Sequence, residues 1–144
     1  MTFSIPMRVY YEDTDLAGIV YYANYLKFIE RARSDWVRHL GVDQITLRAT
    51  KGIVFAVRRV EADYLRPARF GDDLTVSVTL SALGAASMEL VQHVMRGDQT
   101  LFTAKVILVC LGPADKAVRI PAEIRAVLRQ TATIRNVQGH KTAS

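Results

Sequence analysis

A long amphipathic segment near the N-terminus constrains the fold of this 144-residue chain more than any other feature. Its large apolar residues recur at helical spacings, namely Tyr22, Tyr25, Phe28, Ile29, Ala32, Trp36, Val37 and Leu40. This period predicts one helix of about five turns whose single broad apolar face packs against other elements. Gly41 follows as a helix-terminating residue, and Arg38 and His39 complement the dipole of the last turn.

The segments on either side of this helix predict β-strands. Residues 3–11 alternate apolar and polar side chains, and four strand-like segments follow the helix, at 52–64, 74–82, 87–95 and 100–111. Gly97-Asp98 is a hairpin signal, and the apolar run 106–111 predicts a strand buried on both faces. Residues 42–51 mix polar and apolar positions and predict a short helical turn and loop.

The order of these elements predicts the fold class. One strand, one long helix and then several antiparallel strands make an α+β pattern in which the sheet wraps around the helix. A chain of this length fits one domain with one core. We therefore expect a single domain over residues 1–129 and a flexible C-terminal tail over 130–144, where the composition turns polar without periodicity.

The composition bears on location and assembly. Cys110 is the only cysteine, so no intrachain disulfide can form and a reducing compartment fits. No apolar run approaches the roughly 18 residues of a membrane span, and the N-terminus lacks a signal-peptide pattern. We expect a cytoplasmic protein without a transmembrane segment. An apolar fraction of 50% is slightly high for a monomer and indicates a buried subunit interface.

The net charge of +5 and the pI near 9.6 fit nucleic acid, a membrane surface or an acidic small ligand. No run of five or six like charges occurs, and the aromatic residues do not interleave with arginines, so we expect no nucleic-acid partner. A ligand with a polyphosphate handle suits this charge. Ordinary solvated arginines explain it equally well.

The stretch from Tyr10 to Tyr25, YYEDTDLAGIVYYANY, carries the clearest chemical signal. It places three carboxylates within four positions, turns at Gly18, and runs directly into the predicted helix. A carboxylate there can act as nucleophile or base, and free N–H groups at the helix start can stabilise an oxyanion. The alternative is that Asp13, Asp15 and Asn24 only make turns and a helix cap.

The sequence lacks the motifs of several other common catalytic and binding sites. There is no G-x-S-x-G elbow and no phosphate loop, and His39, His93 and His140 are too scattered to form a metal pair. We expect no metal and no cofactor. Cys110 lies within an apolar strand and is interpreted as a core residue rather than a nucleophile.

One run of residues resembles a known family signature. It reads Arg8-Val9, four residues, Thr14-Asp15, two residues, Gly18-Ile19-Val20, one residue, Tyr22, two residues, Tyr25. This pattern is similar to that of the 4-hydroxybenzoyl-CoA thioesterase family, closest to its YbgC-type, Tol-Pal-associated acyl-CoA thioesterases. Further similar stretches are ERAR at 30–33, FAVRR at 55–59, Tyr64 with RPAR at 66–69, and Val109-Cys110. The resemblance covers roughly residues 5–128.

This resemblance implies the hotdog fold and hydrolysis of an acyl-CoA thioester to free acid and CoA. It implies that Asp15 is the nucleophile or general base and that the Tyr22 backbone N–H polarises the thioester carbonyl. Many YbgC-type members have His where this chain has Tyr22, whereas hydroxybenzoyl-CoA thioesterases have Tyr. The acyl group therefore stays open.

The resemblance also implies a homo-oligomer, a dimer or a homotetramer, with the acyl-pantetheine between the motif loop of one subunit and strand residues of the other. Candidate substrate-binding residues are Tyr11, Phe55, Val57, Arg58, Arg59, Arg66 and Arg69. Tyr11 either orients Asp15, contacts substrate or packs. Phe55, Val57 and Arg58 are pocket candidates that ordinary sheet packing also explains. The other three arginines are candidates for the nucleotide phosphates.

A second hypothesis comes from another class of function. The same scaffold also serves as a non-catalytic acyl-binding module, and residues 30–33 with the basic loops could dock an acidic acyl carrier protein. The presence of Asp15 favours the hydrolase. The choice between CoA and acyl carrier protein stays open.

Overall fold

The computed structural model describes residues 2–131 and forms one five-stranded antiparallel sheet with a long helix on one face. The elements in order are β1 (Thr2–Arg8), α1 (Asn24–His39), α2 (Gln44–Lys51), β2 (Val54–Tyr64), β3 (Asp73–Leu83), β4 (Ser87–Arg96), β5 (Gln99–Leu111) and α3 (Ala122–Thr131). Short 3-10 turns lie at Tyr11–Asp13 and Pro113–Asp115. The strand order is β1-β3-β4-β5-β2, so β1 and β2 are the edges. The predicted α+β class is confirmed.

The core lies between α1 and the inner face of the sheet. The buried residues of α1 are Tyr25, Phe28, Ile29, Ala32 and Trp36. They pack on inner residues of the central strands, where the register pairs Leu80 with Leu90 and Val94 with Phe102. Each fully buried large side chain contributes about 1.5–3 kcal/mol, so this contact anchors α1 on the sheet.

One polar network also fixes α1 to the sheet. The Gln92 side chain on β4 is fully buried and donates to the Ile29 carbonyl of α1 (3.0 Å) and to the Ser77 carbonyl of β3 (3.3 Å). Its Oε1 accepts a hydrogen bond from the Arg33 guanidinium (3.0 Å). Because a buried amide is costly unless its groups are paired, this network specifies where the helix sits.

The predicted first strand and first helix need correction at the motif stretch. β1 ends at Arg8 rather than residue 11, because the chain turns into the 3-10 turn at Tyr11–Asp13. α1 begins at Asn24, and the Tyr22 side chain is 62% exposed, so its place in the buried stripe was wrong. Residues 21–23 instead complete the motif loop, whose hydrogen bonds hold them outside the regular helix.

Three other predictions differ from the structure. Residues 44–51 form a regular helix, α2, capped by Asp43 and ended by Gly52 at a φ of 66°. In β5 every second residue of 106–111 is buried and the others are half-buried, because only one sheet face carries a helix. α3 continues to Thr131, so the first two residues of the tail predicted over 130–144 are helical. The rest of that tail, residues 132–144, lies outside the described residues.

Candidate active site

The motif loop folds into a tight hairpin. The Asp15 N–H donates to the Ile19 carbonyl (2.9 Å), and the Gly18 N–H donates to the Asp15 carbonyl (3.0 Å). Gly18 has a φ of 78°, a left-handed conformation that a residue with a side chain adopts only with strain. An isolated bridge between Thr14 and Val20 closes the hairpin. Asp15 is thus held in the first position of the turn.

The Asp15 carboxylate is exposed, and only one of its oxygens is occupied. Oδ1 accepts a hydrogen bond from the Ala17 N–H (2.8 Å), which fixes the side chain in an Asx-type turn. Within residues 2–131, the other oxygen accepts no hydrogen bond. The carboxylate lies in an open depression of about 720 Å³ lined by Tyr11, Glu12, Thr14, Asp15, Leu16, Gly18 and Phe70. Asp15 is therefore both oriented and accessible.

Asp13 supports the loop from behind. Its carboxylate accepts the Tyr10 N–H (2.8 Å), and its carbonyl accepts both the Tyr21 N–H (3.0 Å) and the Asn24 side-chain amide (2.9 Å). Asp13 and Asn24 thus tie the motif loop to the start of α1. The interpretation of these two residues as turn-forming groups agrees with this geometry.

The loop before β3 supports the motif loop from a second side. The Val20 N–H donates to the Ala68 carbonyl (2.8 Å), and the buried Tyr25 hydroxyl accepts the Ala68 N–H (2.9 Å). Asp72 accepts the Arg69 N–H (2.8 Å) and pairs with Arg96 at 2.7 Å. Sequence reasoning missed the Arg96–Asp72 pair, since nothing local to either residue indicates the other.

The start of α1 carries no side-chain cap. Ala23 occupies the cap position with helical φ and ψ, and the Asn24 N–H bonds back to the Tyr21 carbonyl (2.8 Å). Within the described residues, the N–H groups of Tyr22 and Ala23 donate to no acceptor. Both of these N–H groups therefore lie at the positive end of the helix dipole, directly after the Asp15 loop.

An aromatic cluster packs beneath this helix start. The Tyr64 ring on β2 lies 4.9 Å from Phe102, 5.4 Å from Tyr25 and 6.2 Å from Tyr22, measured between centroids. Its hydroxyl donates to the Tyr22 carbonyl (3.0 Å). Partial burial raises the pKa of Tyr64. The sequence singled out Tyr64 only as part of a resemblance, and its bond to Tyr22 was missed.

The structure brings only some of the predicted substrate residues to the Asp15 loop. Tyr11 lines the same depression and packs edge-on against Phe70 (6.2 Å). Arg69 pairs with Ile19 in an isolated bridge, which places Arg66 and Arg69 in the loop next to the motif. Within residues 2–131, neither arginine forms an ion pair.

The other four lie along β2, away from Asp15 of the same chain. Phe55 and Val57 line a separate depression of about 210 Å³ beside α1. Arg58 is the extra residue of a β-bulge and lines a shallow depression at the β3–β4 turn, and Arg59 pairs with Glu61. Because a strand rises about 3.3 Å per residue, Arg58 lies about 20 Å along β2 from Tyr64.

Neither a metal-binding cluster nor an exposed cysteine thiol occurs in the part of the chain that the structure describes. No group of three or more His, Cys, Asp or Glu side chains is placed to hold a metal ion there. Cys110 is buried in β5, and burial raises the pKa of its thiol. No helix within residues 2–131 is long and apolar enough to cross a membrane.

Comparison with known proteins identifies the family. Residues 17–103 match the thioesterase superfamily, and the chain belongs to that superfamily. It is 37% identical over 130 residues to the acyl-CoA thioester hydrolase YbgC of Escherichia coli O6:H1, covering 89% of this chain and 96% of the relative. The predicted family is confirmed.

Solved structures agree on the fold. The crystal structure of a probable thioesterase from Bartonella henselae is similar with a TM-score of 0.80 at 34% identity, covering 84% of this chain and 100% of that one. A mutant 4-hydroxybenzoyl CoA thioesterase complexed with 4-hydroxybenzoyl CoA matches with a TM-score of 0.81 at 21% identity, covering 88% and 98%. The latter likeness is one of fold alone. The predicted hotdog fold is confirmed.

Proposed function

We propose that this protein hydrolyses an acyl-CoA thioester to a free acid and CoA. The observation that carries the proposal is the exposed Asp15 carboxylate, with one oxygen free, on a loop that leads straight into two unoccupied N–H donors. The YbgC relative, named an acyl-CoA thioester hydrolase, supports the same reaction. The reaction belongs in the cytoplasm, where a lone thiol such as Cys110 stays reduced.

In the proposed reaction the Tyr22 N–H donates to the thioester carbonyl oxygen. As the carbonyl carbon becomes tetrahedral, the oxygen gains charge that this donor and the helix dipole stabilise; losing such a donor typically costs about 2.7–4 kcal/mol of barrier.

Asp15 has two possible roles. As general base it takes a proton from water, and the resulting hydroxide adds to the carbonyl carbon. The C–S bond then breaks, sulfur leaves with the electron pair, and Asp15 passes the proton to the CoA thiolate. As nucleophile its free oxygen adds instead, CoA thiolate leaves, and water hydrolyses the mixed anhydride.

The test is Asp15→Asn, assayed with short, long and aromatic acyl-CoA substrates by thiol release. The amide keeps the turn, because its oxygen can still accept the Ala17 N–H, but it can neither attack nor take a proton. We expect kcat to fall by about 10²–10⁴-fold with Tm nearly unchanged. A variant that keeps more than about a tenth of wild-type kcat would contradict the assignment.

The same assay separates the hydrolase from the non-catalytic alternative. An acyl-binding or carrier-docking module would bind an acyl-CoA or an acyl carrier protein without releasing thiol, and Asp15→Asn would change nothing. Turnover that depends on Asp15 excludes that alternative.

We infer further that the active protein is a homo-oligomer, a dimer or a tetramer. The depression around Asp15 is open, with Tyr11, Leu16 and Phe70 exposed on its rim. Strand β2 is an unpaired edge with Val57 and Val60 exposed. A second copy would cover both and bring its Phe55 and Val57 toward the site, since unpaired apolar edges are normally covered.

Light scattering at micromolar concentration tests the assembly. We expect a mass that is a multiple of the 16.1 kDa chain. A particle of monomer mass that still turns over acyl-CoA would contradict a site shared between subunits. Comparison of the mass with two and four chains distinguishes dimer from tetramer.

We propose that Arg66 and Arg69 contact the polyanionic part of the carrier. Arg69 bridges Ile19 of the motif loop, and Arg66 lies three residues before Arg69 in the same connection. Neither forms an ion pair within residues 2–131, so their charge is available to phosphates. We expect Arg66→Glu or Arg69→Glu to raise KM for acyl-CoA with little change in kcat, and to leave acyl-pantetheine unaffected. Arg48→Glu, on exposed α2, is the matched control. Equal effects on both thioesters would contradict the proposal.

A further inference from the structure

The Tyr64 hydroxyl makes a contact that ordinary helix geometry does not require. Tyr22 precedes the cap residue Ala23, so its carbonyl lies outside the hydrogen bonds of α1 itself. The first intrahelical acceptor is the Ala23 carbonyl, which accepts the Leu26 N–H at 3.2 Å. The Tyr64 hydroxyl, from a strand 42 residues away, donates to the Tyr22 carbonyl at 3.0 Å.

The bonded carbonyl belongs to the same peptide unit as a free donor. A trans peptide is planar, so the Tyr22 C=O and the Ala23 N–H lie in one plane and point in opposite directions. The Ala23 N–H is one of the two donors left open at the start of α1. Anchoring the carbonyl therefore orients that N–H, and a hydrogen bond on the carbonyl also polarises it as a donor.

The anchor itself is held firmly. The Tyr64 ring packs edge-on against the stacked rings of Phe102 and Tyr25, at centroid distances of 4.9 and 5.4 Å. Burial raises the pKa of the phenol, so it stays a neutral donor at ordinary pH. Because the ring is fixed by edge-on contacts, the hydroxyl has a defined position relative to the helix start.

We propose that Tyr64 is a positioning residue that aims the Ala23 N–H at the thioester carbonyl oxygen, as a second oxyanion donor beside the Tyr22 N–H. This inference rests on the proposed thioesterase reaction. Tyr64 lies on edge strand β2 and holds the peptide plane between Tyr22 and Ala23. It would therefore affect catalysis without contacting the substrate.

The test is Tyr64→Phe, which keeps the aromatic packing and removes only the donor. We expect kcat to fall about 3- to 10-fold, the effect of losing one hydrogen bond of ordinary net strength, while KM for acyl-CoA stays within about twofold. Tyr10→Phe is the matched control, since the exposed Tyr10 hydroxyl makes no hydrogen bond within residues 2–131, and it should leave kcat unchanged.

A second readout responds to orientation and not to stability. A ketone analogue of acyl-CoA, with methylene in place of sulfur, keeps the carbonyl and cannot be hydrolysed. Its infrared carbonyl frequency falls when the oxygen accepts hydrogen bonds. We expect the frequency for the analogue bound to Tyr64→Phe to lie above that in the wild-type complex, with Tyr10→Phe matching wild type.

Two outcomes would overturn the inference. One is a Tyr64→Phe enzyme with wild-type kcat; the other is a reduced kcat with an unchanged carbonyl frequency, which would assign Tyr64 to stability alone. Neither result touches the proposed function, which fails if the wild-type protein releases no thiol or if Asp15→Asn remains active. The two hypotheses are therefore tested separately.

Discussion

The two helices that precede strand β2 begin in opposite ways. At α2 the Asp43 side chain accepts the N–H groups of Ile45 (3.0 Å) and Thr46 (3.1 Å), and Asp43 itself has an extended backbone. At α1 the cap position is Ala23, with helical backbone angles and no side chain that can accept. A side chain occupies the first N–H groups of α2, whereas the N–H groups of Tyr22 and Ala23, just before α1, donate to no acceptor within the described residues.

The two helix starts show that a cap favours helix stability, whereas an uncapped start leaves N–H groups free to bind a ligand. A capping side chain stabilises a helix by occupying its first N–H groups, and the same occupation prevents those groups from binding anything else. α1 obtains its stability from its buried face and from the Asp13 and Asn24 contacts behind the loop. The N–H groups of Tyr22 and Ala23 are therefore available to a substrate in the proposed reaction, and a missing helix cap is typical of functional sites.

Among changes at the two helix starts, the largest effect is expected when a charge is placed at the start of α1. Ala23→Asp puts a carboxylate beside the Tyr22 and Ala23 donors, because a helical Cβ tilts toward the N-terminus. A unit charge about 5 Å from a developing oxyanion costs about 2–3 kcal/mol at an effective dielectric constant of roughly 20–40. We expect kcat to fall about 30- to 150-fold for any acyl-CoA substrate.

Ala23→Asn is the matched control for that variant. It has the same shape without the charge, so the difference in kcat between the two isolates electrostatics from crowding. If both variants show the same kcat, the donors at the start of α1 do not stabilise a negative charge. The absence of a cap on α1 would then have no role in catalysis.

The opposite change removes the cap from α2. Asp43→Ala frees the Ile45 and Thr46 N–H groups, and we expect Tm to fall by a few degrees in a thermal melt while kcat stays at the wild-type value. Asp35→Ala is the control, because the Asp35 side chain is exposed on α1 and makes no hydrogen bond or ion pair within the described residues. It should leave Tm nearly unchanged. A loss of kcat in Asp43→Ala would show that α2 also serves the site.

The same cap has a defined pH dependence. Hydrogen bonds from Thr46, with a smaller contribution from Ile45, hold the pKa of the Asp43 carboxyl below its usual range. The stabilisation is therefore fully present above the unfolded-state pKa of about 3.9 and is lost as pH falls through the lower folded-state value. The Tm difference between wild type and Asp43→Ala should shrink in acid and stay constant above about pH 5.

The smallest effect is expected at Cys110. Burial raises the pKa of this thiol, so little thiolate is available and alkylation by iodoacetamide should be slow in the folded protein. Activity should remain at its starting level during the treatment, while the unfolded protein reacts fully by mass spectrometry. Rapid modification with a parallel loss of kcat would indicate that Cys110 rather than Asp15 is the reactive group.

Much of this fold was predictable because burial leaves a period in the sequence. The stripe from Tyr25 to Trp36 indicated α1, and alternation indicated all five strands to within a few residues at their ends. The motif loop was also readable, since Gly18 and the carboxylates around it are local signals. For α2 the sequence predicted only a short helical turn and loop, because its single buried residue, Leu47, leaves little apolar period to detect.

By itself the sequence determined the class of fold, the family and the position of Asp15, because each depends on residues close together in the chain. Only the tertiary structure decided that Tyr22 is exposed, that Arg96 pairs with Asp72, and that the Tyr64 hydroxyl reaches the Tyr22 carbonyl. Those contacts join residues tens of positions apart. They follow from sheet register and helix placement, which no local pattern encodes, and so they become visible only when the strands are paired.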